Sequence, residues 1–177
     1  RHMTKEIIHT NDAPPAVGPY SQAVRTGNLL FTAGQVALDP ATRKLVEGDI
    51  QVQTEQVMRN LQAVLTTAGT SFANVVKATV FLADMADFAA MNAAYRERFG
   101  ERPPARTTVV TVLPAGALIA ISAIAVPNGT TREVLHPAGW ARSPRPYSSI
   151  VRANDFVFLS GLVSRRPSDD QPVDVVA

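Results

Sequence analysis

The sequence predicts an α+β domain, a mixed β-sheet with two helices packed on one face, followed by a β-hairpin region that is a partial second copy of its opening. Three observations lead there. The apolar patterns run in the order strands, helix, strand, helix, strands. Two segments carry helical stripes, Val57/Leu61/Val64/Leu65/Ala68 and Met85/Phe88/Met91/Tyr95/Phe99. The chain also repeats itself: at an offset of 127, residues 5–40 lie over 132–167 without a gap. The paired positions are identical at Glu6/Glu133, His9/His136, Pro19/Pro146, Tyr20/Tyr147, Ser21/Ser148, Val24/Val151, Arg25/Arg152, Phe31/Phe158, Gly34/Gly161, Val36/Val163 and Pro40/Pro167. Chance pairing gives roughly two identities over such a length, so the ungapped register is the signal of a repeat.

Taken in order, Glu6–His9 is a short edge strand, and the proline-rich Asn11–Pro19 is a loop. Gly18–Gln35 follows as two strands closed at Thr26-Gly27-Asn28, the turn chemistry of a hairpin. Val36–Leu38 continues the sheet until Asp39-Pro40 breaks it. The first stripe predicts a helix over Asp49–Ala68, ended by Gly69. Val75–Leu82, rich in β-branched residues, is a buried strand. Asp84 caps the second helix, and Gly100 and Pro103-Pro104 close it. Two strands, Arg106–Val112 and Ala117–Val126, are joined by Pro114-Ala115-Gly116. This gives a complete domain over 4–127. Pro127-Asn128-Gly129 is a linker, and 128–177 holds that linker and the opening of the second unit. Arg1-His2-Met3 reads as a tag remnant.

Composition narrows the function. A chain of 177 residues, 46% hydrophobic and with a net charge of +2, can bury a full core. The absence of cysteine excludes a disulfide framework, a thiol nucleophile and thiolate metal sites, and makes the cytoplasm the expected compartment. Lysines and arginines are scattered, so no nucleic-acid footprint stands out. The most apolar run, Thr107–Val126, is broken at Leu113–Gly116 and is not a membrane span. Arg142-Ser143-Pro144-Arg145-Pro146 reads as a solvated loop rather than a binding tract. Nucleotide-binding and nucleophile-elbow motifs are absent, and the histidines lack metal-ligand spacing. One residue stands out. Pro103-Pro104 denies helix to the positions before it and leads into a strand, so Arg106 sits at a strand entrance on rigid backbone, suited to gripping a carboxylate with two parallel hydrogen bonds.

The blocks GPYSQAV (18–24), LLFTAGQ (29–35), KATVFLADMADFAAMNAAYRERF (77–99), PPARTTVV (103–110) and LPAGALIAISAIA (113–125) resemble the RidA/YjgF (L-PSP) family of reactive intermediate deaminases. The resemblance covers residues 5–126 in one pass, and 132 to about 174 partially. It implies a chorismate-mutase-like fold, a trimer or pseudo-trimer of repeats with clefts between subunits, and hydrolysis of imine or enamine carboxylates of the 2-aminoacrylate type to 2-keto acids and ammonia, with no cofactor and no metal. By the same resemblance Arg106 binds the substrate carboxylate and Tyr20 lines the cleft. Ala33 and Gly34 border the substrate, with Asn92 on the helix and Thr108 beside the arginine. Where the family reads E-I-E, this chain has Ala120-Ile121-Ser122, whose alternation puts Ala120 and Ser122 on one side, a cleft wall without carboxylates. The Arg106–Leu113 stretch is one residue shorter than in relatives, which shortens a bulge. In the second unit, Tyr147, Ser160 and Gly161 match Tyr20, Ala33 and Gly34 and are expected to line a cleft opposite Arg106 in place of a partner subunit's residues.

Three functions compete: imine deaminase, a member specialised for a different imine or carbonyl substrate, and a non-catalytic carboxylate-binding module. The ribonuclease activity associated with the family is disfavoured by the lack of a stacking platform. The fragment beyond 130 cannot bury a core alone. The sequence therefore predicts either a truncated tandem protein, which the unbroken register favours, or docking of the fragment on the first unit or on another chain.

Overall fold

A computed structural model describes residues 4–166 and 168–173; Pro167 of the Pro40/Pro167 pair, the first three residues and the last four fall outside them. Strands β1 (Lys5–Ile8), β2 (Ala23–Thr26), β3 (Leu29–Thr32), β4 (Gln35–Val36), β5 (Val75–Leu82), β6 (Ala105–Val110) and β7 (Ile119–Ala125) form one mixed sheet of order β1-β2-β3-β7-β5-β6, with β4 also paired to β7. Helices α1 (Ile50–Thr67) and α2 (Phe88–Phe99) pack together on one face. The α+β architecture with two helices on one sheet face is as the sequence predicts.

The helices form where the stripes place them. Asp49 caps α1 by accepting from Gln51 and Val52 N–H at 3.0 Å each, a contribution of about 1 kcal/mol. Val57, Leu61, Val64 and Leu65 are fully buried against Ala78, Val80, Leu82, Ile119 and Ile121 of the sheet. Gly69 takes the positive φ of +71° that lets the chain leave the helix. Asp84 caps a single 3₁₀ turn, Met85–Asp87, which runs into α2 at Phe88, so the second helix starts one turn later than its stripe suggests. Met91 and Tyr95 are buried, whereas Met85, at the head of the stripe, is half exposed.

The Pro114–Gly116 turn does not make a hairpin. β5 lies between β6 and β7, parallel to the first and antiparallel to the second. β6 is consequently an edge strand. Its register with β5 is unbroken, and the irregularity in this part of the sheet falls in β5, between Val75 and Lys77.

Beyond the linker, β8 (Arg132–Leu135), β9 (Ile150–Ala153) and β10 (Phe156–Leu159) make a separate antiparallel sheet of order β10-β9-β8. Its pairing reproduces that of β1–β3 at the 127-residue offset: Glu6 faces Arg25 and Glu133 faces Arg152, and each pair forms an ion pair. The turn residues correspond as well, with φ +52° at Gly27 and +51° at Asn154. The same offset relates Asp39 N–H to Lys44 O and Arg166 N–H to Gln171 O, each near 2.9 Å. This small sheet buries Val151 and Ala153 with Val76, Ala105 and Val126, on the face of the large sheet away from the helices. Phe158 is partly covered there, while Phe156 and Leu162 remain exposed. The fragment thus docks on the first unit of its own chain.

Candidate active site

Arg106 is the second residue of β6 and points to the helix face, since its neighbour in register is Ala78, whose side chain is in the helix-covered core. It is 4% exposed. Its guanidinium carbon lies 4.9 Å from the ring centre of Tyr95, and 5.4 Å from each of Phe88 and Tyr147. These rings supply a cation-attracting surface on three sides. No carboxylate pairs with it among the described residues, and Nη1 is buried without a hydrogen-bond partner. Burial pulls its pKa below the ordinary arginine value, opposed by Tyr95 and Tyr147. A buried, unpaired cation of this kind is costly unless an anion joins it.

The arginine opens into a cavity of about 510 Å³. One side is made by the first unit, through Met85, Phe88, Arg106 and Thr108; the other comes from residues 140–170, including Trp140, Tyr147, Ser160 and Gly161. The two sides are joined along the free edge of β6. Ser148 N–H donates to Pro104 O at 3.0 Å, and Ser148 Oγ to Pro103 O at 2.5 Å. Gly161 N–H donates to Arg106 O at 2.9 Å. Edge-strand groups that would otherwise face solvent are satisfied in this way.

Of the residues singled out from sequence, Arg106, Thr108, Tyr147, Ser160 and Gly161 come together. The others do not. Tyr20, Ala33 and Gly34 sit beyond β7 and β5 from Arg106, and do not line its cavity. Tyr20 is 52% exposed and Gly34 has open space around its Cα. The resemblance assigns them to a cleft between subunits; within one chain the place beside Arg106 belongs to the residues 127 positions on, Tyr147, Ser160 and Gly161. Ala120 and Ser122 pair with Phe81 and Thr79, whereas Arg106 pairs with Ala78, which alternates with them along β5. They therefore occupy the opposite face of the sheet and form no wall of this cleft. Asn92 lies one turn after Phe88 and outside the cavity lining, its Oδ1 buried and unpartnered.

The arginine-rich loop is solvated only in part, with Arg142 and Pro144 exposed. Rather than standing free in solvent, Ser143 and Arg145 line the cavity, and Arg96 donates to Pro144 O at 2.7 Å. Arg165, Arg166 and Asp170 line it too and had no signal of their own in the sequence.

The fold and this site define a small α+β domain that presents a buried arginine at the edge of its sheet, with the cleft finished by a segment from outside the domain. A family model described as endoribonuclease L-PSP matches residues 10–127. A RutC family protein of Pyrococcus horikoshii is 54% identical over 122 residues, 68% of this chain and 97% of that protein. The goat 2-iminobutanoate/2-iminopropanoate deaminase is 43% identical over 130 residues, 73% of this chain and 95% of its own. Among solved structures, a putative endoribonuclease of Thermotoga maritima superposes with a TM-score of 0.69 at 46% identity, covering 71% of this chain and all of that one. The chain belongs to the endoribonuclease L-PSP family, known also as RidA/YjgF, whose members include imine deaminases. Tyr147, Ser160 and Gly161 lie outside the matched region.

Proposed function

We propose that the protein hydrolyses small imine or enamine carboxylates to 2-keto acids and ammonia in the cleft at Arg106. The unpaired, buried Arg106 guanidinium carries this reading, because an α-imino acid supplies the carboxylate that it lacks. Deaminase relatives of more than 40% identity support it. In the reaction, water adds to the protonated C=N carbon, and the resulting carbinolamine expels ammonia to leave the ketone. Imine hydrolysis needs little beyond positioning. Arg106 would fix the carboxylate, and the hydroxyls of Tyr147 and Thr108 would orient water in the cavity they line. Within this chain, Tyr147 takes the role expected of Tyr20.

We also propose that residues 132–173 are a second, partial copy acting as a built-in neighbour. The Tyr20/Ala33/Gly34 edge, which meets no Arg106 within the chain, would then be a contact surface for another copy in a homo-oligomer. The test is ammonia or keto acid release from an imine generated by an amino-acid oxidase: wild type should accelerate it and Arg106→Ala should not.

A second reading has its own support. The sole carboxylate lining the cavity among the described residues, Asp170, is held by two arginines, which leaves no free base. A non-catalytic carboxylate-binding module would bind keto acids through Arg106 and leave the hydrolysis rate unchanged.

A further inference from the structure

The two units share their backbone and the Glu6–Arg25 type of ion pair, but differ in charge around the cavity. Tyr20 N–H bonds to Gly18 O, and Tyr147 N–H to Arg145 O, both at 2.8 Å; Leu38 N–H bonds to Val36 O, and Arg165 N–H to Val163 O, again at 2.8 Å. Leu38 bridges to Leu45 as Arg165 does to Pro172, and Arg43 and Asp170 take matching φ values of +60° and +55°. The second unit thus replaces Gly18 by Arg145, Leu38 by Arg165 and Arg43 by Asp170, and it turns all three toward the cavity that contains Arg106.

Asp170 Oδ2 lies 3.1 Å from Arg145 Nη1 and 3.7 Å from Arg165 Nη1. Arg165 Nη1 also donates to Asp170 O at 2.5 Å, so it ties the loop through its backbone as well. Two arginines on one aspartate leave a positive charge over, shared at a site about one-third exposed. Arg166 is offset by Asp169 at 3.3 Å. The cavity therefore holds two separate centres of excess positive charge: Arg106, and the Arg145–Asp170–Arg165 cluster. A monoanion fills one of them. At about 510 Å³ the cavity also has room for more than a three- or four-carbon acid.

Resting on the reading of Arg106 as the carboxylate grip, we infer that the preferred substrates are dianionic, imino acids whose side chain ends in a second carboxylate or comparable anion held by Arg145 and Arg165. Calorimetric titration of the full chain with 2-oxobutanoate, oxaloacetate and 2-oxoglutarate tests this through ratios of Kd. In wild type the better dicarboxylate should bind about tenfold or more tightly than 2-oxobutanoate. The Arg145→Gln/Arg165→Gln double variant should bring that ratio to about one, while Arg145→Lys/Arg165→Lys, which keeps the charge, should retain a preference and so separate charge loss from loop disorder. A wild-type ratio near one, or a ratio that survives the glutamine pair, overturns the inference while leaving Arg106 in place. Failure of every keto acid to bind, or binding indifferent to Arg106→Ala, overturns the reading of Arg106 and this inference with it.

Discussion

Arg106 and Ser160 are locked backbone to side chain: the Arg106 N–H donates to Ser160 Oγ at 2.8 Å, and that hydroxyl in turn donates to Ser148 O at 2.7 Å. Ser160 is 5% exposed, so its loss leaves a buried N–H and a buried carbonyl without partners. Ser160→Ala, which matches the residue in the first unit, should cost about 1–3 kcal/mol in urea unfolding. Keto acid binding should weaken with it. Unaltered stability would mean that the second unit is not held at β6 as described.

Removing the Arg106 guanidinium should weaken binding of a small 2-keto acid tenfold or more, since a charge-assisted bidentate pair is worth on the order of 2–4 kcal/mol. Arg106→Lys should rescue only part, because a point charge cannot reproduce the fork. Titration calorimetry gives both numbers, and full affinity in either variant would remove Arg106 from the site.

Gly161 and Gly34 stand 127 residues apart and have unequal surroundings. A Cβ at Gly161 would meet Thr107 Cγ2 at 3.2 Å, whereas one at Gly34 meets nothing within 4 Å. Gly161→Val should push the segment off β6 and lower stability by about 1–3 kcal/mol. Gly34→Val should leave the melting of the dilute, dissociated chain within about 0.5 kcal/mol of wild type. Equal effects would contradict the asymmetric docking.

Lys77 bridges the units, its Nζ donating to Thr107 Oγ1 at 2.8 Å and to Leu159 O. Burial lowers its pKa from 10.5 in the folded protein. Between that lowered value and 10.5, the unfolded chain binds the proton more tightly, so stability from this group rises with pH across that window. Denaturant titrations at a series of alkaline pH values should show a rise that Lys77→Met flattens. An identical pH slope in both proteins would contradict it.

Ala120→Glu puts a carboxylate on the face of the sheet away from Arg106. In the dissociated chain it should leave keto acid affinity unchanged within about twofold. If turnover rises on assembly, and only then, the glutamate acts across a subunit boundary. A gain in the isolated chain would contradict the strand register.

Val75–Leu82 was legible to the residue because its β-branched run is bounded on both sides, and Asp49 and Gly69 announced the ends of α1. Alternation also correctly put Ala120 and Ser122 on one side of β7. Which side that was depended on pairing with Phe81 and Thr79 across the sheet, a long-range register that no local pattern encodes. Buried polar residues were missed for a related reason. Gln22 bonds the backbone of Thr10, Ala13 and Pro14, and Asn60 that of Val36 and Leu38. Composition presents them as ordinary surface amides; only their loop partners explain their burial. The loop around Arg145 was misjudged likewise, since its apparent solvation is cancelled by Arg96 and Asp170, distant in sequence.

The cleft at Arg106 receives both walls from one polypeptide, tied through the linker after β7. Its closure is a first-order event, governed by an effective concentration in the millimolar range rather than by how much protein is present. Dilution that strips a clefted oligomer of its neighbours would leave this pocket whole, whereas any pocket built on the open Tyr20 edge would vanish with the second molecule. Keto acid affinity measured across a wide span of protein concentration should accordingly stay constant.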